Sequence, residues 1–299
     1  MIDRTEQFVA EFEQFRMPPT AIDRYHQGGR DNLVAKLRPF IEAGQPVPLL
    51  MLGYPFKSLN TRDKTLGKRP DLGEELSMKN FARFGEHMKQ VHPPGVHLVI
   101  ASDGHVFSEL LGETSSTVEA YAEEVTDMGR GGPVELLGLR DFYPTLPHLA
   151  RERMMKQWNI GDVELKRRVL VDPNTTALFS GMIRFMEQEL AIRSFVSKRQ
   201  LHLAAKELAR KMMLFNEAYS HLVAAEFPQS IRLSMHNTTN DNKWGFQLIP
   251  SPRAEHSPWH CALVLEADGT PATMHRRDAE ARGAELVYRE GRPYYFQLR

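Results

Sequence analysis

A cluster of basic side chains follows the first strongly apolar run of the chain. The run, Val47 and Leu49 to Leu52, stops at Gly53. The segment after it contains Lys57, Asn60, Arg62, Lys64, Lys68 and Arg69. We interpret the run as a buried strand and the basic segment as the loop at its carboxyl end, where open α/β sheets bind ligands. Such a loop suits an anionic ligand such as a phosphate; the alternative is a solvated loop paired with Asp71, Glu74 and Glu75.

Histidines at the ends of predicted strands form the second informative pattern. His236 ends one apolar segment, His260 begins another, and His275 stands beside Arg276. Histidine titrates close to neutral pH, so a histidine held in a cleft at a strand end can act as a general acid or base. A surface or structural role is the alternative for each. A metal site would need three of them, or two and a carboxylate, to converge, and no metal-binding spacing is present.

Several other polar residues stand where a ligand could reach them. Ser102 and Asp103 follow the second predicted strand, where Asp103 suits a polar substrate or a helix cap. Arg184 lies amid apolar residues and Arg232 alternates with them in a strand, so either could bind a carboxylate or phosphate, or simply pair with a neighbouring acid. The chain contains no GxSxG elbow, no Walker loop and no GxGxxG fingerprint.

Composition excludes several protein classes. The chain has 299 residues, its 38 basic and 38 acidic side chains cancel, and Cys261 is its single cysteine. Balanced charge gives no argument for nucleic-acid or membrane binding, and one cysteine excludes an internal disulfide. No apolar stretch approaches the ~18 residues of a membrane-spanning helix, and the acidic N-terminus is unlike a signal peptide. We therefore expect a cytoplasmic protein without nucleic-acid or membrane partners.

Strands and helices alternate in the first half of the chain. Continuous apolar runs predict two more buried parallel strands, over residues 96–101 and 134–139. Helical spacing and capping residues predict helices over residues 5–16, 33–43, 72–91 and 117–128. Right-handed crossovers between parallel strands would place the three loops at their carboxyl ends on one side of a Rossmann-like sheet.

We expect a single domain over residues 1–299 with four consecutive parts. They are N-terminal helices (1–45), a Rossmann-like half (46–144), a helical segment that acts as an insertion or lid (145–227), and strands that complete the sheet (228–299). The helical segment shows helix patterns over residues 146–158, 176–195 and 198–227, and a polar loop over 236–242 follows the first late strand. The expected fold class is therefore α/β, a modified Rossmann-like, mostly parallel sheet with a helical insertion and C-terminal antiparallel strands.

Three segments together resemble a known enzyme family. They are KSLNTRDKTLGKRPDLGEE at residues 57–75, IASDGHVFSELLG at residues 100–112, and IRLSMHNTTN…SPWHCALV…MHRRDAEARGAELVYREGRPYYF within residues 231–296. In content and order they resemble the isocyanide (isonitrile) synthases of the pyoverdine/dityrosine biosynthesis family. The likeness covers residues 47–145 and 175–299, and the first two segments are far more specific than a lone glycine motif.

The resemblance implies a reaction. Members of the family convert the α-amino group of an amino acid, commonly tyrosine or tryptophan, to an isocyanide, taking the extra carbon from C2 of ribulose 5-phosphate without a redox cofactor or metal. We therefore expect an isonitrile synthase for an aromatic amino acid that acts by imine formation, proton shifts and C–C cleavage, with a downstream isocyanide-tailoring enzyme as its partner. The alternative is a non-catalytic module that binds a sugar phosphate and an amino acid and regulates a biosynthetic pathway.

The resemblance also selects residues for roles. Those expected in catalysis, by charge stabilisation or proton transfer, are Lys57, Lys64, His236 and His260. Those expected to bind substrate are Asn60, Lys68, Ser102, Asp103, Arg184, Arg232, His275 and Arg276. Either arginine, 184 or 232, would bind the amino-acid carboxylate, and Ser102 or Asp103 its ammonium or a sugar hydroxyl. Four aromatic residues suit either the side-chain pocket or the core: Phe142, Tyr143, Phe179 and Trp244.

Overall fold

The computed structural model describes residues 3–20, 23–192, 197–236 and 242–299. Its helices are α1 Arg4–Glu13, α2 Gly29–Ala43, α3 Leu72–Val91, α4 Gly104–Leu111, α5 Ser115–Met128, α6 Leu139–Phe142, α7 Pro147–Trp158, α8 Asp162–Val171, α9 Pro173–Leu190, α10 Lys198–Glu226 and α11 Arg276–Ala281, with a 3-10 helix at Pro258–His260. Its strands are β1 Val47–Leu52, β2 Val96–Ala101, β3 Val134–Leu137, β4 Ile231–Ser234, β5 Lys243–Gly245, β6 Ala262–Leu265, β7 Pro271–Met274, β8 Glu285–Arg289 and β9 Arg292–Gln297. Most of the predicted loop over 236–242, and the end of the helix predicted over 176–195, lie outside the described residues.

The larger sheet contains five parallel strands in the order β3-β2-β1-β4-β5. The central strand β1 pairs with β2 along its whole length and with β4 at Leu49 and Leu50. The chain therefore winds outward in one direction through β2 and β3, and later in the other direction through β4 and β5. The carboxyl ends of β1 and β4 meet where the order reverses, which is the switch point at which α/β sheets bind ligands. The predicted Rossmann-like sheet is confirmed.

The last four strands form a second sheet instead of completing the first. Their order is β7-β6-β9-β8, in which β6 pairs antiparallel with β7, β8 pairs antiparallel with β9, and β6 runs parallel to β9. Of the strands predicted within residues 228–299, β4 and β5 join the main sheet. An apolar strand pattern records that a face is buried and does not record which neighbour covers it, so the sequence could not assign these strands to a sheet.

Helix ends follow local capping chemistry. As predicted, α3 begins after Asp71, whose carboxylate accepts the N–H of Gly73, while Glu74 accepts the N–H of Asp71 at 3.0 Å. The start of α2 was predicted too late, because Gly28, with φ 111°, turns the chain into the helix before Asp31 is reached. The helices α4, α6 and α8 were not predicted; α4 and α6 are short, and α8 buries a single residue, Leu165, so its apolar stripe is weak.

The helical segment covers the carboxyl edge of the main sheet. The long helix α10 packs against α9, α7 and α4, and the hydroxyl of its Tyr219 donates to the carbonyl of Ser102 at 2.8 Å. Met154, Met186 and Met212 are buried in this segment, where the flexible methionine side chain fills irregular gaps. No described helix combines the length and apolarity required to cross a membrane.

A buried ammonium and two carboxylates connect the loop after β1 to α3. The Nζ of Lys57 lies 2.7 Å from Asp71 Oδ2 and 2.8 Å from Glu74 Oε2, and it donates to the carbonyl of Pro258 at 2.9 Å. The three charged side chains are at most 3% exposed. Burial raises the pKa of Asp71 to about 7 against the opposing effect of the nearby ammonium. Burial alone would lower the pKa of Lys57, but the two carboxylates together raise it, so the lysine stays charged.

Replacement of Lys57 by Met should destabilise the fold strongly. It leaves Asp71 and Glu74 buried without a cation, which costs about 3–5 kcal/mol in the free energy of unfolding. Burial already raises the pKa of Asp71 to about 7, and loss of the ammonium should raise it further. The folded variant then keeps a proton that the folded wild type releases, so the deficit should grow as the pH rises above about 7. Urea unfolding at several pH values measures both effects.

The matched control is Lys79→Met. Lys79 is 66% exposed and pairs with Glu75 at 2.5 Å within α3, so its loss should cost under ~0.5 kcal/mol. A deficit as small as this in Lys57→Met would show that the buried triad does not stabilise the fold.

Candidate active site

A cavity of about 550 Å³ opens at the switch point of the main sheet, within the size range of small-molecule sites. The backbone at Gly53 and Pro55 follows β1 and forms its base, while α4, α9, α10, the end of β4 and the 3-10 helix form its walls. The base is closely packed. A Cβ on Gly53 would lie 3.0 Å from the ring of Trp259, and a Cβ on Gly104 would lie 2.5 Å from the carbonyl oxygen of Pro55. The backbone contact requires glycine at position 104, whereas a side chain at position 53 would displace Trp259 and Met235.

One wall of the cavity carries a buried ion pair. The Nζ of Lys64 lies 2.6 Å from Glu189 Oε1, and both side chains are at most 3% exposed. The hydroxyl of Ser58 also donates to this carboxylate, at 2.7 Å to Oε2, and the ammonium lies 4.5 Å from the ring centre of Phe185. Among the described residues, Glu189 alone accepts a hydrogen bond from the ammonium of Lys64. Glu189 lines the cavity, and Lys64 supports it from outside the lining.

Asn60 fastens the basic loop to the roof of the cavity. Its side-chain amide donates to the carbonyl of Gln188, at 2.8 Å, and accepts the N–H of Asp63 at 3.0 Å. Because Gln188 immediately precedes Glu189, this bond fixes the position of the Lys64–Glu189 pair. Asn60 is buried, and these two hydrogen bonds indicate that it positions the loop. Its contact with substrate stays a prediction.

Histidines surround the same ion pair. The ring of His260 lies 4.9 Å from that of Phe185, and its Nδ1 lies 3.0 Å from Ser257 Oγ. Burial lowers the pKa of His260 well below its usual value, and the charge of Lys64 adds to this effect. His260 is therefore neutral at pH 7 and can accept a proton. His236 also lines the cavity and is exposed to it. Surrounding protein atoms lower its pKa by burial, and His256 adds a smaller effect.

Two further histidines extend this cluster beyond the cavity. His275 caps α11, and its ring stacks on that of His256 with 6.2 Å between centres. Burial is the largest cause of a lowered pKa at His275, followed by the charge of Lys64. The sequence analysis had selected three of the four clustered histidines and missed His256. No group of three or more potential metal ligands converges among the described residues.

Three other predicted cations lie outside the cavity lining. Lys57 has all its ammonium protons engaged by the buried triad, which favours a structural role. Lys68 is 55% exposed and pairs with Glu113 at 2.9 Å. Arg276 donates to the carbonyl of Thr61 at 3.1 Å, so it holds the basic loop from outside. No observation tests their predicted roles in the reaction.

The polar residues after β2 divide between two tasks. The hydroxyl of Ser102 donates to the carbonyl of Tyr54 at 2.9 Å and accepts the N–H of Gly104 at 3.3 Å, so it shapes the turn. Ser102 faces a separate open groove of about 790 Å³ beside β3. Asp103, in contrast, lines the cavity, and burial raises the pKa of its carboxyl to about 7.

The two candidate arginines do not line the cavity. Arg184 is exposed on α9, with its guanidinium near Gly181, a cavity residue. Arg232 lies on β4 beside Lys243 of β5; burial lowers its pKa, and its Nε has no hydrogen-bond partner among the described residues. Binding of the substrate carboxylate by either arginine stays a prediction.

The aromatic residues of the cavity differ from those predicted. Trp244 is a core residue whose indole N–H donates to the carbonyl of Gly29 at 2.8 Å, and the other three predicted aromatics likewise pack outside the lining. The lining aromatics are Phe56, Phe107, Phe185 and Trp259. The sequence analysis also missed Glu189. The sequence does contain a signal for Glu189, because residues 178, 182, 185 and 189 share one helix face. Burial of a carboxylate in this otherwise apolar stripe costs free energy unless a partner compensates it, so the pattern predicts a buried partner for Glu189.

Comparison with known proteins agrees with this architecture. The crystal structure of the PvcA protein from Pseudomonas aeruginosa superposes with a TM-score of 0.90, covering 99% of this chain and 100% of that chain at 24% identity, which establishes a common fold. The isocyanide synthase xanB of Aspergillus fumigatus is 28% identical over 282 residues. The L-tryptophan isonitrile synthase AmbI2 of Fischerella ambigua is 29% identical over 267 residues.

The extent of these matches differs. The alignment with xanB covers 86% of this chain but 37% of xanB, so this chain spans little more than a third of that relative's length. The alignment with AmbI2 covers 87% of this chain and 80% of AmbI2. The model of the pyoverdine/dityrosine biosynthesis proteins matches residues 37–287, the greater part of the chain. This chain therefore belongs to the pyoverdine/dityrosine biosynthesis protein family.

Proposed function

We propose that this protein is an isocyanide synthase that converts the α-amino group of tyrosine or tryptophan to an isocyanide with C2 of ribulose 5-phosphate. The observation that carries the proposal is the buried carboxylate of Glu189, which lines an otherwise largely apolar cavity together with neutral His260 and pairs with the ammonium of Lys64 at 2.6 Å. Relatives named as isocyanide and isonitrile synthases support it. The co-substrate and the independence from redox cofactors and metals rest on the sequence resemblance.

The cavity offers distinct environments to the two substrates. Phe107, Leu111 and Met212 line one wall and suit an aromatic side chain. The ammonium of Lys64 and the neutral histidines around it form a polar region that suits the phosphate and hydroxyls of a sugar phosphate. An amino acid bound with its ring on the apolar wall would present its α-amine to a ketone held beside Lys64.

The proposed reaction requires several proton transfers, and the cavity holds groups that can carry them. Addition of the amine to the C2 ketone releases water and forms an imine, and C2 must then lose its bonds to C1 and C3. The ammonium of Lys64 can stabilise the negative charge that develops on oxygen. Neutral His260 can accept protons, and Glu189, 2.6 Å from Lys64, can exchange a proton with it.

The direct test is product formation. The protein is incubated with ribulose 5-phosphate labelled at C2 and with tyrosine or tryptophan in separate tubes, and any isocyanide is trapped with a tetrazine. We expect an adduct that carries the label, detected by mass spectrometry. Sugar-phosphate binding in a thermal-shift assay, without an adduct from any amino acid, would contradict the proposal and favour the non-catalytic binding module.

Replacement of Lys64 by Met should abolish turnover. Because it also leaves Glu189 buried without a cation, the single variant should lose stability by about 3–5 kcal/mol. The double variant Lys64→Met/Glu189→Gln removes both charges, so it should regain most of that stability while remaining inactive. Isocyanide formation and urea unfolding measure the two effects separately. Lys79→Met, on the distant surface of α3, is the control that should keep full activity. Wild-type activity in either Lys64 variant would remove Lys64 from the mechanism.

A further inference from the structure

Two carboxylates face the same cavity in opposite electrostatic environments. Glu189 is compensated by Lys64 and by the hydroxyl of Ser58. Asp103 has no cation beside it: its Oδ1 is out of reach of solvent without a hydrogen-bond partner, and only its own backbone N–H opposes the burial that raises the pKa of its carboxyl to about 7. Burying a carboxyl group without partners costs free energy. Asp103 Oδ1 is therefore free to accept a hydrogen bond from a bound ligand.

The wall around Asp103 is apolar and belongs to two helices. Asp103 immediately precedes α4, and Phe107 and Leu111 follow it at intervals of four residues, so the three share one helix face. Met212 and Asn216 line the cavity from α10 at the same spacing. A flat, largely apolar ligand group that carries one hydrogen-bond donor matches this wall.

We propose that Asp103 accepts the hydrogen-bond donor on the ring of the amino-acid substrate, the phenol O–H of tyrosine or the indole N–H of tryptophan, and thereby selects these over phenylalanine. This inference rests on the proposed isocyanide synthase function. It places the substrate ring between α4 and α10 and the α-amine towards Lys64.

The chemistry of the reaction separates this role from ammonium binding. The α-amine must reach a ketone beside Lys64, Glu189 and His260, which belong to the wall formed by the basic loop, α9 and the 3-10 helix. A buried carboxylate that paired with the ammonium would raise the pKa of the amine and disfavour the neutral form that attacks a carbonyl. A carboxylate among Phe107 and Leu111 is better placed for the opposite end of the substrate.

The test compares tyrosine, tryptophan and phenylalanine in the wild type, in Asp103→Leu and in Asp103→Asn. Loss of a hydrogen bond to a charged acceptor should lower kcat/KM of Asp103→Leu about 10–100-fold for tyrosine and tryptophan. The value for phenylalanine should stay within about threefold, because phenylalanine makes no such bond. Asp103→Asn keeps an uncharged acceptor and should lose less. The control Met212→Leu reshapes the same wall without a polar change, so the three substrates should respond in parallel.

Two results would overturn the inference. Equal losses for all three amino acids in Asp103→Leu would assign the carboxylate to the ammonium, and unchanged selectivity would remove it from recognition. Failure of the proposed function has a different signature, namely no isocyanide from any amino acid with the wild type. In that case the affinities of tyrosine and phenylalanine are measured by calorimetry. The ratio of tyrosine to phenylalanine affinity should fall about 10–100-fold in Asp103→Leu, and an unchanged ratio would contradict the inference.

Thermal unfolding without ligand provides an independent readout. Asp103→Leu removes an uncompensated buried carboxyl, so the variant should be at least as stable as the wild type, as is common when a binding group is replaced. A clear loss of stability would show that Asp103 supports the fold and would count against the proposed role.

Discussion

The cavity depends on one constraint, the burial of the Lys57 ammonium. A charge removed from water is tolerated only where opposite charges and hydrogen-bond acceptors surround it. Its acceptors are Asp71 and Glu74 at the start of α3, and the carbonyl of Pro258. The lysine therefore holds the loop after β1, the first turn of α3 and the 3-10 helix in one fixed arrangement. Since that 3-10 helix carries Trp259 and His260, the triad positions a cavity wall without contacting the cavity.

The same physical rule distinguishes the carboxylates inside the cavity. Glu189 is compensated within the chain by Lys64, so its environment is complete before substrate arrives. Asp103 is uncompensated, so the protein without ligand holds it at a cost. Sites that bind or transform ligands commonly retain groups whose environment is unfavourable until the ligand is present. This contrast is the reason that we propose acid-base chemistry at Glu189 and substrate recognition at Asp103.

Local chemistry explains what could be predicted from the sequence. Buried strands β1 and β2 and helix α3 with its capping residues were predictable, because apolar runs and capping residues act over a few positions. The switch point was not predicted, because it depends on the pairing of β1 with β4. Contacts between residues far apart in the sequence were not predictable. Glu189 meets Lys64 across 125 positions, and the second sheet depends on which partners the late strands find. Ligand binding by the basic loop stays a prediction, and composition could not show that the side chain of Lys57 is buried and that of Lys68 exposed.

The two buried lysines of the basic loop differ in a way that matters for function. Lys57 finds both of its carboxylates within the same segment, at positions 71 and 74, so only its third acceptor, the carbonyl of Pro258, comes from a distant part of the chain. Lys64 obtains its carboxylate from α9, in the roof of the cavity. Its electrostatic environment therefore depends on how the helical segment lies over the sheet. Changes in α9 should then alter the chemistry of the cavity while leaving the loop and sheet intact, because the two ion pairs are anchored to different parts of the chain.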